Sequence, residues 1–152
     1  MTTTVTFEDA KNLAGTDLGA SAWREVTQEQ VNLFADATDD HQWIHTDPER
    51  AAKESPFGGP IAHGYLTLSL VIPMWDELLD VTGVGMKVNY GLNKVRFPAP
   101  VPVGSRIRMT GTVAEVTEVG GGGLQITVDG VIEVDGGTKP AVVLTGLYRF
   151  YK

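Results

Sequence analysis

The stretch Pro60–Leu79, PIAHGYLTLSLVIPMWDELL, limits what this chain can fold into more than any other. It opens on a turn through His63 and Gly64, then runs apolar through Leu66, Leu68, Leu70, Val71 and Ile72. A helix with no polar face is one that other structure surrounds. The run is about as long as a short membrane span, but Pro73, Asp76 and Glu77 interrupt it, so a buried core helix is expected and a membrane segment is not. Pro73 has no N–H to give, which predicts a kink or restart there, with the helix ending before Gly83. The helix start leaves backbone N–H groups free at the positive end of the dipole, where an oxyanion can be held.

The 152 residues are expected to form one domain, 1–152, large enough to bury a core without staples. There is no cysteine, which rules out disulfides and thiolate metal sites and suits a cytoplasmic location. Residues 1–15 lack the basic start and apolar block of an export signal. A formal net charge of −7 argues against nucleic-acid binding, which needs a basic face. A small phosphate-bearing ligand needs only a few local cations.

Along the chain, Phe7–Leu13 suggests a short helix and Ser21–Val26 a short strand. Thr27-Gln28-Glu29-Gln30 has the form of a capping box, and Val31, Phe34, Ala35 and Thr38 follow at helical spacing. A loop Asp39–Thr46 leads to Asp47-Pro48, a helix start with Asp47 as N-cap. The turn-rich segment Ser55–Pro60 delivers the chain to the apolar helix. Everything after Gly85 reads as strand. Met86, Val88 and Tyr90 alternate, and Val95 and Phe97 resume after Gly91. Pro98–Gly104 is a proline-rich crossing, Arg106–Val119 a strand, and Gly120–Gly123 a turn. Leu124 to Val134 keeps one parity through Asp129-Gly130, so one long strand is expected there in place of a hairpin. Asp135–Thr138 is the next turn and Ala141–Tyr151 the last strand. One apolar helix followed by three or four long antiparallel strands predicts an α+β fold: a curved antiparallel sheet wrapped around a long central helix.

Two clusters carry chemistry. Asp40 and His45 lie in the loop between helices; a carboxylate beside an imidazole fixes its tautomer and can share the protons of one water. Their bland alternative is a turn cap and a satisfied polar residue. His63-Gly64 is the second cluster: glycine admits close backbone approach, and its N–H at a helix start can meet an oxyanion. A plain glycine helix start with a packing histidine is the alternative.

The segment Phe34–Leu70, FADATDDHQWIHTDPERAAKESPFGGPIAHGYLTLSL, resembles the MaoC-like dehydratase family, the R-specific enoyl-CoA hydratases of hot-dog fold. The family's Asp-x-Asn-Pro-aliphatic-His pattern falls on Asp40, Ile44 and His45, and its later turn on Ile61-Ala62-His63-Gly64. The likeness continues through Asn89–Gly104. Gln42 and Trp43 stand where the family has Asn and Pro, which bears on substrate shape. A family serine in the central helix has Ser69 as its nearest counterpart. The resemblance implies a hot-dog fold, a homodimer formed by edge pairing, and reversible hydration of a trans-2-enoyl-CoA to an (R)-3-hydroxyacyl-CoA in fatty-acid metabolism. Asp40, His45 and Gly64 would be catalytic. Gln42, Trp43 and His63 would contact substrate, and Lys94 and Arg96, or Arg50 and Lys53, would hold the coenzyme A phosphates. Trp43, Phe57, Tyr65 and the first turns of the central helix would line the acyl slot, with core packing as the alternative reading of these residues. No metal or cofactor is implied beyond the coenzyme A of the acyl-CoA substrate, and neither nucleic acid nor membrane is a partner. The competing readings are a hot-dog acyl-CoA thioesterase, with its acid on the central helix (Asp76 or Glu77), a non-catalytic acyl-thioester binder, and a structural partner of a larger acyl-chain complex.

Overall fold

A computed structural model describes residues 1–152. Four long strands make the body of one sheet: β5 (Met86–Arg96), β6 (Arg106–Val119), β7 (Gly123–Val134) and β8 (Val142–Tyr151). They pair antiparallel in the order β6-β7-β8-β5. Two short strands, β2 (Asp17–Ala20) and β3 (Arg24–Glu25), both pair with the free edge of β6. A separate parallel pair joins β1 (Thr3–Thr6) to β4 (Leu79–Thr82). The start of the chain therefore forms two strands in addition to the short helix expected over Phe7–Leu13, which is a 3-10 turn at Asp9–Asn12. Each short strand gains its partner from far along the sequence, so no local periodicity announces it.

β7 runs unbroken through Asp129-Gly130. Gly130 faces Gly111 across the β6–β7 ladder, and a Cβ on Gly130 would lie 2.8 Å from the Met109 methyl. Glycine sits there to admit Met109 and Leu144 on the concave face, not to turn the chain. Ile107, Met109 and Val113 of β6, Ile126, Val128 and Ile132 of β7, and Leu144 and Phe150 of β8 point to that face.

The central helix lies in this concavity in two pieces, α4 (Gly64–Ser69) and α5 (Val71–Leu78). The break falls at Leu70, three residues before Pro73. This puts Pro73 in the first turn of α5, where its missing N–H costs nothing. Leu66, Leu70, Val71, Met74, Trp75 and Leu78 pack into one cluster with the sheet. The helix is not enclosed all round, as its composition suggested. Tyr65, Leu68, Ser69 and Ile72 recur at i, i+3, i+4 and i+7 and form a stripe left open, with Tyr65 72% exposed. α5 ends at Leu78, and Leu79–Thr82 leave as β4.

β5 departs from a half-buried strand in the same way. Its cross-strand partners place Lys87 and Asn89 on the concave face, opposite Phe150 and Tyr148. The alternating Met86 and Val88 lie on the outer face, opposite Tyr151 and Arg149. No strand pairs with the other edge of β5, and Met86, Tyr90, Leu92 and Phe97 stand exposed along it.

Candidate active site

Three short helices build one wall. In α1 (Gln28–Thr38) the Thr27 hydroxyl accepts from the Gln30 N–H at 3.1 Å; the Gln30 side chain does not close the box. The helix ends on Asp39, whose φ of 59° makes it the sole non-glycine residue in the left-handed region. That reversal throws Asp40 out of the helix axis. α2 (Trp43–Thr46) carries His45, and α3 (Pro48–Glu54) starts as expected, with the Asp47 side chain accepting from the Arg50 N–H. The His63-Gly64 turn is clamped between them and the proline-rich crossing. Ile61 N–H donates to the Ile44 carbonyl at 3.0 Å, and Ala62 N–H to the Val101 carbonyl at 2.8 Å.

These clamps bring Asp40, His45 and Gly64 to one cleft of about 190 Å³, together with His63, Tyr65 and Phe97. Asp40 is exposed at its rim, while His45 and His63 are buried, 7% and 2% accessible. Nδ1 of His45 lies 2.7 Å from the Ile61 carbonyl oxygen. A carbonyl only accepts, so Nδ1 carries the hydrogen and Nε2 is left as the basic lone pair. Burial is the main force on this ring and holds its pKa below the ordinary 6.5, against the Ile61 bond, which favours the charged form. His45 therefore rests neutral at pH 7. The nearest ligand atoms of Asp40, His45 and His63 lie within 4.8 Å of one another, and no direct bond joins the Asp40 and His45 side chains. That spacing leaves room for one water between them.

His63 lines the cleft and also braces it. Its ring stacks on His45 at 3.9 Å between centroids and leans on Phe34 at 4.8 Å. Its Nε2 donates to the Asp40 backbone carbonyl at 3.0 Å, leaving Nδ1 buried without a partner. His63 thus ties the Asp40 loop to the helix start. In this arrangement Nδ1 of His45 and Nε2 of His63 are each taken up by a backbone carbonyl, so each ring has one nitrogen left for other work.

The Gly64 N–H opens α4, and no backbone or side-chain group accepts from it. Gly64 faces the Phe97 ring, which a Cβ would meet at 3.4 Å. A second, mostly apolar cavity of about 340 Å³ shares His45, Gly64 and Phe97 with the cleft and extends under Phe57, Pro98 and Pro100. Phe97 and Pro98–Val101 line both the fold's crossing and this cavity; in the sequence they read only as a strand end and a proline-rich connection.

The other expected contacts lie outside the cleft. Gln42 is exposed and acts through its backbone, its carbonyl accepting from the His45 and Thr46 N–H groups. Trp43 is half-buried under the Arg50 guanidinium, 4.3 Å from its ring, and Arg50 also pairs with Glu54. Lys94 and Arg96 are exposed at the end of β5 that leads into Phe97, and Lys53 on α3 near Phe57. Asp76 and Glu77 sit at the far end of the helix, paired with Lys87 and Arg24.

Residues 9–135 match the family model described as MaoC like domain. The 3-hydroxyacyl-thioester dehydratase Z of Mycobacterium tuberculosis is 53% identical over 95% of this chain and 97% of its own length. Nodulation protein N of Rhizobium leguminosarum is 44% identical over 91% of this chain and 86% of its own. Among solved structures, a monoamine oxidase regulatory protein from Archaeoglobus superposes with a TM-score of 0.79 at 27% identity, covering 100% of this chain and 98% of that one. An (R)-hydratase from A. caviae superposes at 0.68 and 26%, covering 89% and 94%. The sheet wrapped on its helix is the hot-dog fold of these neighbours, and the chain belongs to the MaoC-like dehydratase family.

Proposed function

We propose that this protein catalyses the reversible syn hydration of a trans-2-enoyl-CoA to an (R)-3-hydroxyacyl-CoA, in fatty-acid metabolism. The observation that carries this reading is the single cleft lined by Asp40, by His45 with its Nε2 lone pair free, and by Gly64 with its N–H unpartnered. A water held by Asp40 and His45 attacks C3 of the enoyl thioester. Nε2 takes its proton as the oxygen–carbon bond forms, and the electron pair of the double bond moves onto the thioester oxygen. The Gly64 N–H stabilises that enolate oxygen. The proton on Nε2 then passes to C2, so both elements of water arrive from one face. No metal or redox group takes part, and the coenzyme A enters as part of the substrate. Relatives called dehydratase and (R)-hydratase support the reaction type.

The apolar cavity under Phe57, Phe97 and Pro98 is the path for the pantetheine arm, because Arg96 directly precedes Phe97 and Lys53 lies four residues before Phe57, which puts exposed cations in the segments that lead to it. Arg96 donates to the Val95 carbonyl and can exchange that bond for a phosphate. Asp76 and Glu77 lie away from the helix start, which favours hydratase over thioesterase. We further propose a cytoplasmic homodimer of this one domain. The uncovered edge of β5, with Tyr90 55% and Leu92 45% exposed, is the surface that a second copy covers. No helix is long and apolar enough to cross a membrane.

Crotonyl-CoA tests the reaction. The enoyl absorbance should fade with no free thiol, and chiral analysis should return the (R) product. Asp40→Asn and His45→Gln should each lower kcat by about 100-fold or more with little change in KM. Thiol release would mean a thioesterase, and unchanged turnover in both variants would leave a binder.

A further inference from the structure

A third cavity, of about 300 Å³, opens beside the central helix and is lined by Leu68, Ser69, Ile72, Asn89, Leu92 and Tyr148 among others. It shares no residue with the catalytic cleft. The open helix stripe nevertheless joins the two: Tyr65 lines the cleft, and Leu68, Ser69 and Ile72, on the same face, line the cavity.

The wall of this cavity holds a rigid phenol. Tyr148 is only 6% exposed, and Trp75 stacks on its ring with centroids 5.0 Å apart and planes at 22°. The ring lies back along β8 over Gly146, whose Cβ, if present, would be 2.6 Å from the phenol oxygen. Glycine at 146 and tryptophan at 75 together fix where the hydroxyl sits. It makes no hydrogen bond within the chain, and burial alone pushes the phenol up to about 12, so it stays a donor. The hydroxyl is not sealed off but opens on the cavity, so its partner must come from outside the chain. The neighbours here are mostly apolar. The Ser69 hydroxyl is spent on the Tyr65 carbonyl at 2.7 Å, and Asn89, the cross-strand partner of Tyr148, has its side-chain amide free.

On the reading above, the acyl tail runs along the first turns of the central helix into this cavity; we propose that the Tyr148 hydroxyl with the Asn89 amide selects a tail bearing a hydroxyl or keto oxygen over plain hydrocarbon. The inference rests on the thioester lying at Gly64, as proposed above. Gly64 to Ser69 spans about 7.5 Å of helix, which places the recognised oxygen about six carbons from the thioester. A hydrocarbon tail filling the cavity strips water from the phenol and leaves it unpaired, and a site built to bond a hydroxyl discriminates against the analogue that lacks one.

The test is calorimetry with two saturated ligands, 6-hydroxyhexanoyl-CoA and hexanoyl-CoA, on the full chain. Hydration of crotonyl-CoA is measured in parallel. The wild-type protein should bind the hydroxylated ligand about tenfold more tightly. Tyr148→Phe, which keeps the ring and its stack on Trp75, should erase that preference, and Asn89→Leu should reduce it. Equal binding of the two ligands by a protein that hydrates crotonyl-CoA overturns this proposal and leaves the hydratase reading standing. A preference that survives in Tyr148→Phe overturns the role of the phenol. Failure to bind either ligand or to hydrate crotonyl-CoA overturns both readings together.

Discussion

Gly64→Ala separates what the helix start does for the fold from what it does for the reaction. Gly64 opens α4 with an ordinary backbone conformation, so alanine fits there without strain. The added methyl meets the Phe97 ring at 3.4–3.5 Å, an ordinary van der Waals contact, and Phe97 is 42% exposed. Alanine is worth up to about 1 kcal/mol over glycine in a helix, less at its first position. Stability should therefore stay the same or rise by about 0.5 kcal/mol, a Tm shift of about 1–2 °C for a chain of this size. The same methyl stands in the cleft beside the N–H that the thioester oxygen must approach. Losing one oxyanion donor costs about 100- to 1,000-fold in kcat, or about 2.7–4 kcal/mol of transition-state stabilisation. The assay is thermal unfolding paired with steady-state hydration of crotonyl-CoA. An alanine variant within threefold of wild-type kcat would refute close backbone approach at Gly64. A loss of more than about 2 kcal/mol in stability would refute the packing account.

His45 links stability to pH. Its folded pKa is lowered, so between that value and about 6.5 the unfolded chain binds more protons, and stability rises with pH across that window. Denaturant unfolding at several pH values should show this slope, and His45→Gln should flatten it. The acid limb of kcat/KM should fall below pH 6.5 in the wild type, because Nε2 must be unprotonated to take the water proton. Asp39→Gly, at the one left-handed non-glycine position, should be neutral or stabilising by about 0.5 kcal/mol, whereas Asp39→Val should cost at least about 1 kcal/mol by denaturant titration. Gly130→Val should destabilise by about 1–3 kcal/mol, because its side chain runs into Met109 and Leu144. Leu92→Lys on the free β5 edge should shift sedimentation from dimer toward monomer; an unchanged dimer would place the partner elsewhere.

The sequence by itself determined the elements whose signal is local. The cap at Thr27, the Asp47-Pro48 start and the unbroken parity from Leu124 to Val134 each rest on near neighbours, and each stands in the structure. Asp40, His45 and Gly64 could be singled out by residue type and position, but their joint role came only from the resemblance to the family motif. Whether they meet was decided by clamps across the fold: Ile61 to Ile44, Ala62 to Val101 and His63 to Asp40. That His63 braces the site could not be read from the sequence, because its stacking partner is 18 positions away. Trp43 lies outside the cleft, under Arg50 from the next helix, a contact its sequence position did not announce. β5 shows the limit most clearly. Period-two alternation fixes that two sets of side chains point opposite ways, but not which set meets the core. Met86 and Val88 look like core residues in sequence, yet Lys87 and Asn89 take the concave side, because the pairing with β8 sets the register. Tyr148 was likewise visible only as one more residue of a strand. Its free hydroxyl depends on Trp75, Gly146 and the helix stripe converging around it, and only the tertiary packing brings those together.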